Sequence, residues 1–380
     1  MSTRTAGPVG QVAGLSLASG EFPAHEMALR QEVRDFLADQ SFTPIADSWV
    51  GAYDPEFSAA LGERGWVGMT IPVEYGGGGR SPLERYIVVE ELLAAGAPVF
   101  AHWVADRQMA PSLLAYGNES LKQRWLPAIA SGRSYFAIGL SEPDAGSDLA
   151  SIRTRAEKVP GGWELTGAKV WTSMAPHAHA IVVLARTEPA RRDDRHGGLT
   201  QFVVALPSEG VTVRPIEGMN GSEHFGEVVF DRAFVRDDEV LGEPGRGWQQ
   251  ANAELAYERS GPERVLSTAV LLPSVKGAER GRLLARLWAL RQASIAVNAA
   301  IERGTPPEVQ AVMVKDLGTQ FENEVVDAAL ASQRIEPDPG SADGLARLIA
   351  TARLNSPTFT LRGGTTEILR GIIARGLGVR

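Results

Sequence analysis

Along residues 25–40 apolar positions recur at helical spacing, with Met27, Leu29, Val33, Phe36 and Leu37 on one side of a predicted amphipathic helix. Further helical patterns cover 82–96, 106–116 and 119–132. Between the first two stand Gly65-Trp66-Val67-Gly68 and Ile71-Pro72-Val73-Glu74-Tyr75-Gly76-Gly77-Gly78-Gly79, whose glycines and proline predict a tight loop. From 133 to 242 the period changes. Short apolar runs at 136–140, 152–158, 162–166, 181–185, 201–206, 211–216, 227–230 and 234–235 alternate with turn residues. They predict a small all-β domain, a sandwich or partial barrel. Helical periodicity returns at Gly247. Leu283, Leu284, Leu287, Trp288 and Leu290 mark one helix side. Pro306-Pro307 open the next helix, where proline is tolerated, and Val309, Val312, Leu317, Phe321 and Val325 run along its face. A shorter helix is predicted over 343–354. A last one follows Gly363-Gly364-Thr365-Thr366, with hydroxyls as caps and Glu367 in its first turn.

The order helices, β, helices predicts a multidomain α+β chain: an N-terminal α-helical domain over 23–132, a middle β-sandwich or barrel domain over 133–242 and a C-terminal helical bundle over 243–380. Residues 1–22 are rich in small residues and are expected to be disordered.

Composition narrows the function. A net charge of −8 argues against a nucleic-acid surface. With no cysteine there is no disulfide, thiolate nucleophile, Fe–S cluster or Cys-type zinc site. No stretch approaches the length of a membrane span, and residues 1–22 lack the apolar core of a signal peptide, so a cytoplasmic protein is expected.

The candidate chemistry lies in two segments. The first is Tyr135-Phe136-Ala137-Ile138-Gly139-Leu140-Ser141-Glu142-Pro143-Asp144-Ala145-Gly146-Ser147-Asp148, an apolar strand running into a loop of Ser, Asp and Gly. The second is Gly167-Ala168-Lys169-Val170-Trp171-Thr172-Ser173. Small residues admit a flat ligand close to the backbone, hydroxyls bond its edge and a Trp stacks on its face. With Gly65-Trp66, Pro72-Val73-Glu74-Tyr75-Gly76-Gly77, the phrase at 123–132 and the stretch 362–370, these segments resemble the acyl-CoA dehydrogenase family. The resemblance covers nearly all of the chain from about residue 25, and is weakest across 265–345.

It implies α,β-dehydrogenation of an acyl-CoA thioester with FAD as cofactor. A base takes the α-proton and hydride leaves the β-carbon for the flavin. Carried over by position, Ile138, Leu140, Ser141, Gly146, Ser147, Trp171 and Ser173 contact the flavin, with Gly364 and Thr365 from the last loop. The N–H of Gly363 is expected to help bind the thioester oxygen. In many members the base is the residue before Gly-Thr in that loop. Here it is Gly363, so that carboxylate is absent. Glu367 lies a helical turn away and reads as a helix-start charge. A second group within the family carries its base in a Glu-Arg pair on the first bundle helix, matched here by Glu258-Arg259. Pro262 cannot donate to the Glu258 carbonyl, so the helix should kink or restart there. The competing readings make Glu258 a surface residue with Arg259 as a structural partner, since Glu254 and Glu263 are read as solvated acids of the same stretch, or a contact to a partner.

Two segments that many members lend to a neighbouring subunit's FAD, Arg-x-x-Phe-Gly and Gln-x-x-Gly-Gly, are missing between 265 and 345. Either FAD is held differently, or the chain needs another type of subunit, or FAD binds weakly. Two alternatives stand beside the dehydrogenase: a degenerate-site subunit of a heteromeric enzyme, and a flavin oxidase or monooxygenase on the same fold. The implied partners are an acyl-CoA, an electron-transfer flavoprotein or similar acceptor, and further subunits in a dimer or tetramer, of this chain or a second acyl-CoA dehydrogenase-like chain. No nucleic acid, membrane or metal is expected. His177 and His179 lie two apart on an expected strand without further ligands. The glycines at 76–79 lack the Lys-Ser/Thr of a phosphate loop, and Gly242, Gly245 and Gly247 lack a βαβ context.

Overall fold

The computed structural model describes residues 22–191, 193–304 and 307–379, and within these 255–258 and 260 by backbone alone. The disorder expected of residues 1–22 falls, except for Phe22, outside the described residues. The helices, sheet and helices follow in the expected order, and the chain divides into two compact units.

The first unit takes the chain up to Ser41, Ser81–Ala95 and everything from Arg259 onward. Its helices are Glu26–Asp39, Pro82–Ala94, Glu263–Leu266, Gly277–Glu302, Glu308–Ser332, Gly344–Asn355 and Thr366–Gly376. Leu29, Val33 and Phe36 are buried as their spacing requires, whereas Met27 at the helix start is exposed. Ser81 caps Pro82–Ala94 through a reciprocal capping box with Glu84. Leu83 and Tyr86 of that helix pack on Ile295 and Ala299. Arg30 is buried between Glu90 and Glu91 at 2.7 and 2.8 Å. In Gly277–Glu302 only part of the expected apolar side is covered: Leu283 and Leu290 are buried, Leu284 and Trp288 exposed. Likewise Leu317 is exposed beside buried Val312, Phe321 and Val325. The helix there starts at Glu308, with Pro307 as its cap.

The second unit is Phe42–Arg80 with Gly96–Glu258. Its strands are β1 (Phe136–Gly139), β2 (Arg155–Val159), β3 (Gly162–Ser173), β4 (Ala180–Arg186), β5 (Leu199–Ala205), β6 (Val211–Ile216), β7 (Phe225–Arg236) and β8 (Val240–Leu241). They form one mixed sheet in the order β6-β7-β3-β2-β4-β5-β8, with β1 parallel beside β4. Side chains alternate between faces, so the strands feed two cores. Phe136, Ala180, Val182 and Val203 join Trp125, Leu126 and Ile129. Ile181, Val183, Phe202 and Val204 join Leu165, Val228 and Phe230. β3 and β5 are not neighbours, yet Trp163 meets Phe202 edge-on at 5.6 Å, so the sheet curls over its own apolar face. The runs 227–230 and 234–235 are one strand: Asp231 and Arg232, which looked like a turn, sit at an irregularity of the β3–β7 register.

The helix expected at 106–116 begins earlier, at Phe100, and contains a π-helical turn over Ala105–Met109. Pro111 cannot donate to the carbonyl of Arg107, which loosens the helical ladder at that point. Among the described residues no helix is long and apolar enough to cross a membrane.

Candidate functional site

β1 and β3 bring the first and second segments together. β1 ends at Gly139, and the next residues cross to β3, where the N–H of Val170 donates to the Ser141 carbonyl at 3.0 Å. Past Lys169 the register with β7 slips by one residue, from Lys169 opposite Val228 to Thr172 opposite Gly226. Trp171 sits in that bulge at φ +57, a backbone region a bulky residue rarely occupies. The residue is 59% exposed, and its ring meets Phe225 edge-on at 5.9 Å. Ile138, Leu140, Ser141 and Ser173 are half-buried, and Gly146 and Ser147 stand exposed in the loop that follows β1. The hydroxyls of Ser141, Ser147 and Ser173 bond no described residue. An exposed aromatic face next to uncommitted hydroxyls suits a flat heteroaromatic ring with polar edges.

Beneath this surface lies a buried ion pair that sequence reasoning missed. Lys169 is 0% exposed, and its Nζ donates to Glu142 Oε1 at 2.8 Å and to the Leu140 carbonyl at 3.1 Å. Glu142 also accepts from the N–H groups of Arg153 at 2.7 Å and Thr154 at 2.8 Å. Burial pulls the Lys169 ammonium down to about 8, against the opposing pull of Glu142. Burial pushes the Glu142 carboxyl up, but the Lys169 charge and its hydrogen bonds outweigh that and hold it below the usual carboxylate range. The signal was a Lys set among apolar strand residues and a Glu next to the first hydroxyl.

The last-loop residues belong to the first unit. Gly363 and Gly364 are consecutive left-handed residues, φ +68 and +103. Arg259 Nε donates to the Gly363 carbonyl at 2.9 Å. The N–H of Gly363 donates to no described residue. Thr365 caps the last helix, its hydroxyl accepting from Ile368 N–H, and Glu367 falls in the first turn. The helix Gly247–Ser260 stops before Pro262 and Glu263–Leu266 starts anew, as the missing proline N–H requires. The side chain of Glu258 lies outside the described residues.

Two family models match in series, "Acyl-CoA dehydrogenase, N-terminal domain" over 23–133 and "Acyl-CoA dehydrogenase, middle domain" over 137–233. The acyl-CoA dehydrogenase IpdE1 of Mycobacterium tuberculosis is 34% identical, over 92% of this chain and 97% of that protein.

The chain belongs to the acyl-CoA dehydrogenase family.

It is thus an oxidoreductase of a flavoprotein family that acts on acyl-CoA thioesters. Two solved relatives extend the match. "Tcur3481-Tcur3483 steroid ACAD" superposes with a TM-score of 0.82 at 27% identity, covering 94% of this chain and 98% of that one. The ChsE4-ChsE5 complex from Mycobacterium tuberculosis does so at 0.78 and 26%, covering 95% and 99%.

Three expectations for this acyl-CoA dehydrogenase need correction. Glu254 is not solvated: it is 3% exposed and accepts from Gln108 Nε2 at 3.0 Å, out of the π turn. Glu263 is buried as well. Both acids were misread because a helical wheel does not reveal which polar positions find a partner. His177 and His179 do not share a strand face. His177 ends a short 3-10 turn and stacks on Tyr53 at 4.1 Å, while His179 Nδ1 accepts from the Tyr135 N–H. Among the described residues no cluster of His, Asp and Glu could hold a metal.

Proposed function

We propose that this chain carries out the family reaction itself: FAD held on the β1–β3 surface, and Glu258 as the base that takes the α-proton of the thioester. The hydrogen bond from Arg259 to the Gly363 carbonyl supports the reading above all. In the Glu-Arg pair of the bundle helix, the Arg reaches the loop whose carboxylate is missing. Glu258 directly precedes Arg259 in the sequence.

The residues present fit the cofactor. Ser141, Ser147 and Ser173 offer hydroxyls that bond no described residue, and Trp171 is exposed. Bound FAD supplies the acceptor for the β-hydrogen. The chain supplies the rest. Glu258 removes the proton. The N–H of Gly363, which donates to no described residue, lowers the cost of charge on the thioester oxygen as the α-carbon is deprotonated. Arg259 holds that N–H in place by fixing the carbonyl of the same residue.

A second reading keeps the fold but makes FAD binding depend on another subunit. The missing Arg-x-x-Phe-Gly and Gln-x-x-Gly-Gly segments favour it. So do two structural relatives whose names each pair two different chains. Flavin absorbance per chain, measured for the purified protein and followed by anaerobic addition of an acyl-CoA, tests both. A steroid-derived thioester is the first choice, given the word in one relative's name. Yellow protein that bleaches supports the catalytic reading. Protein that binds no FAD until a second acyl-CoA dehydrogenase-like chain is added supports the second.

A further inference from the structure

The two flavin-facing segments lie on different strands, and the Lys169–Glu142 pair ties them at one point. The ammonium bonds the carbonyl of Leu140 and the carboxylate of Glu142, the residues on either side of Ser141. The next N–H along β3, that of Val170, bonds Ser141 itself. Three consecutive residues of one segment are therefore held by two consecutive residues of the other.

The hold extends both ways. Glu142 bonds the N–H groups of Arg153 and Thr154 through its carboxylate, and exchanges backbone hydrogen bonds with Ala145 at 2.9 and 3.1 Å. The loop bearing Gly146 and Ser147 thus leaves from a fixed base. On the other strand, Lys169 is the last residue in register before the bulge that carries Trp171. Its stem needs a bare position beneath it: a Cβ on Gly139 would stand 3.1 Å from Lys169 Cγ. A buried ion pair is weak evidence of stabilisation, because desolvation cancels much of its attraction. Its placement at the junction of both ligand-facing segments points to another role.

We propose that Lys169 and Glu142 are positioning residues for FAD: their pair sets the spacing of Ser141 and Trp171, so cofactor affinity depends on it more than folding does. This rests on the flavin reading above.

The test uses Lys169→Met and Glu142→Gln in the full chain, with any subunit the wild type needs. FAD dissociation constants are measured by titration of flavin-free protein, and the melting temperature of the flavin-free form is taken alongside. Both variants are expected to fold and to bind FAD about tenfold or more weakly, with an altered flavin absorption envelope. A folded variant that binds FAD within threefold of wild type overturns the proposal. If Lys169→Met does not fold, Glu142→Gln decides alone, since it keeps an acceptor for one of the two N–H groups, which bond different carboxylate oxygens. If neither folds, the pair belongs to fold maintenance and the proposal is wrong. Wild-type protein that takes up no FAD under any condition sinks the flavin reading first, and this inference with it.

Discussion

Arg259 Nε donates to the carbonyl oxygen of Gly363 at 2.9 Å, across 104 residues of chain. Arg259 follows the proposed base, and Gly363 lies in the last loop, where the family resemblance implies a base that this sequence lacks. Replacing Arg259 by Lys keeps the charge but loses the planar fork that carries Nε. We expect Arg259→Lys to lower turnover at least tenfold, with FAD content unchanged and a stability loss of about 1 kcal/mol. Stopped-flow flavin reduction and thermal melts check the two parts separately. Wild-type reduction rates would remove Arg259 from the site.

Restoring the missing carboxylate should not restore a base. Gly363 sits at φ +68, and a side chain there costs on the order of 1–3 kcal/mol. Gly363→Glu is therefore expected to melt a few degrees lower than wild type, and not to rescue Glu258→Gln. Rescue would show that the loop still accepts a base.

Gln108 on the π turn supports a buried carboxylate at Glu254. Gln108→Leu removes one charge-assisted donor and should destabilise by about 1–3 kcal/mol. Adding Glu254→Gln should recover part of that loss, because a neutral amide depends less on the Gln108 donor than a carboxylate does. Denaturant unfolding of the single and double variants measures the coupling, and additive losses would refute it.

The buried pair gives pH effects of defined sign. The Glu142 carboxyl is held below its ordinary range by Lys169 and hydrogen bonds, against burial. Its stabilising contribution is complete above the unfolded carboxylate value, about 4.3, and is lost as pH falls through the lower native value. The Lys169 ammonium is lowered by burial from 10.5 to about 8. Between those values the unfolded chain holds a proton that the native chain lacks, so stability from this group rises with pH across the window and is lost below it. Melting curves from pH 7 to about 10 should shift in favour of wild type relative to Lys169→Met. A gap that stays constant or narrows would contradict the assignment.

Part of the candidate site is legible from local chemistry. The Ser, Gly and Trp residues of the two segments suit the flat polar ligand proposed for them. Pro262 announces a helix break because its missing N–H is a covalent fact. Gly363 declares an absent carboxylate by its identity. The rest depends on long-range partners. Nothing near Lys169 in sequence names Glu142, nothing near Glu254 names Gln108, and nothing near Arg259 names Gly363. Sequence periodicity likewise placed Trp288 on an apolar helix side without showing that it would stay exposed.

The most direct measurement concerns Glu258. Purified Glu258→Gln protein, with its FAD content verified, is mixed anaerobically with an acyl-CoA that bleaches the wild type. We expect full FAD occupancy and flavin reduction slowed by about 10²-fold or more. Bleaching at the wild-type rate would mean that another group takes the proton, and that Glu258 plays no part in the chemistry.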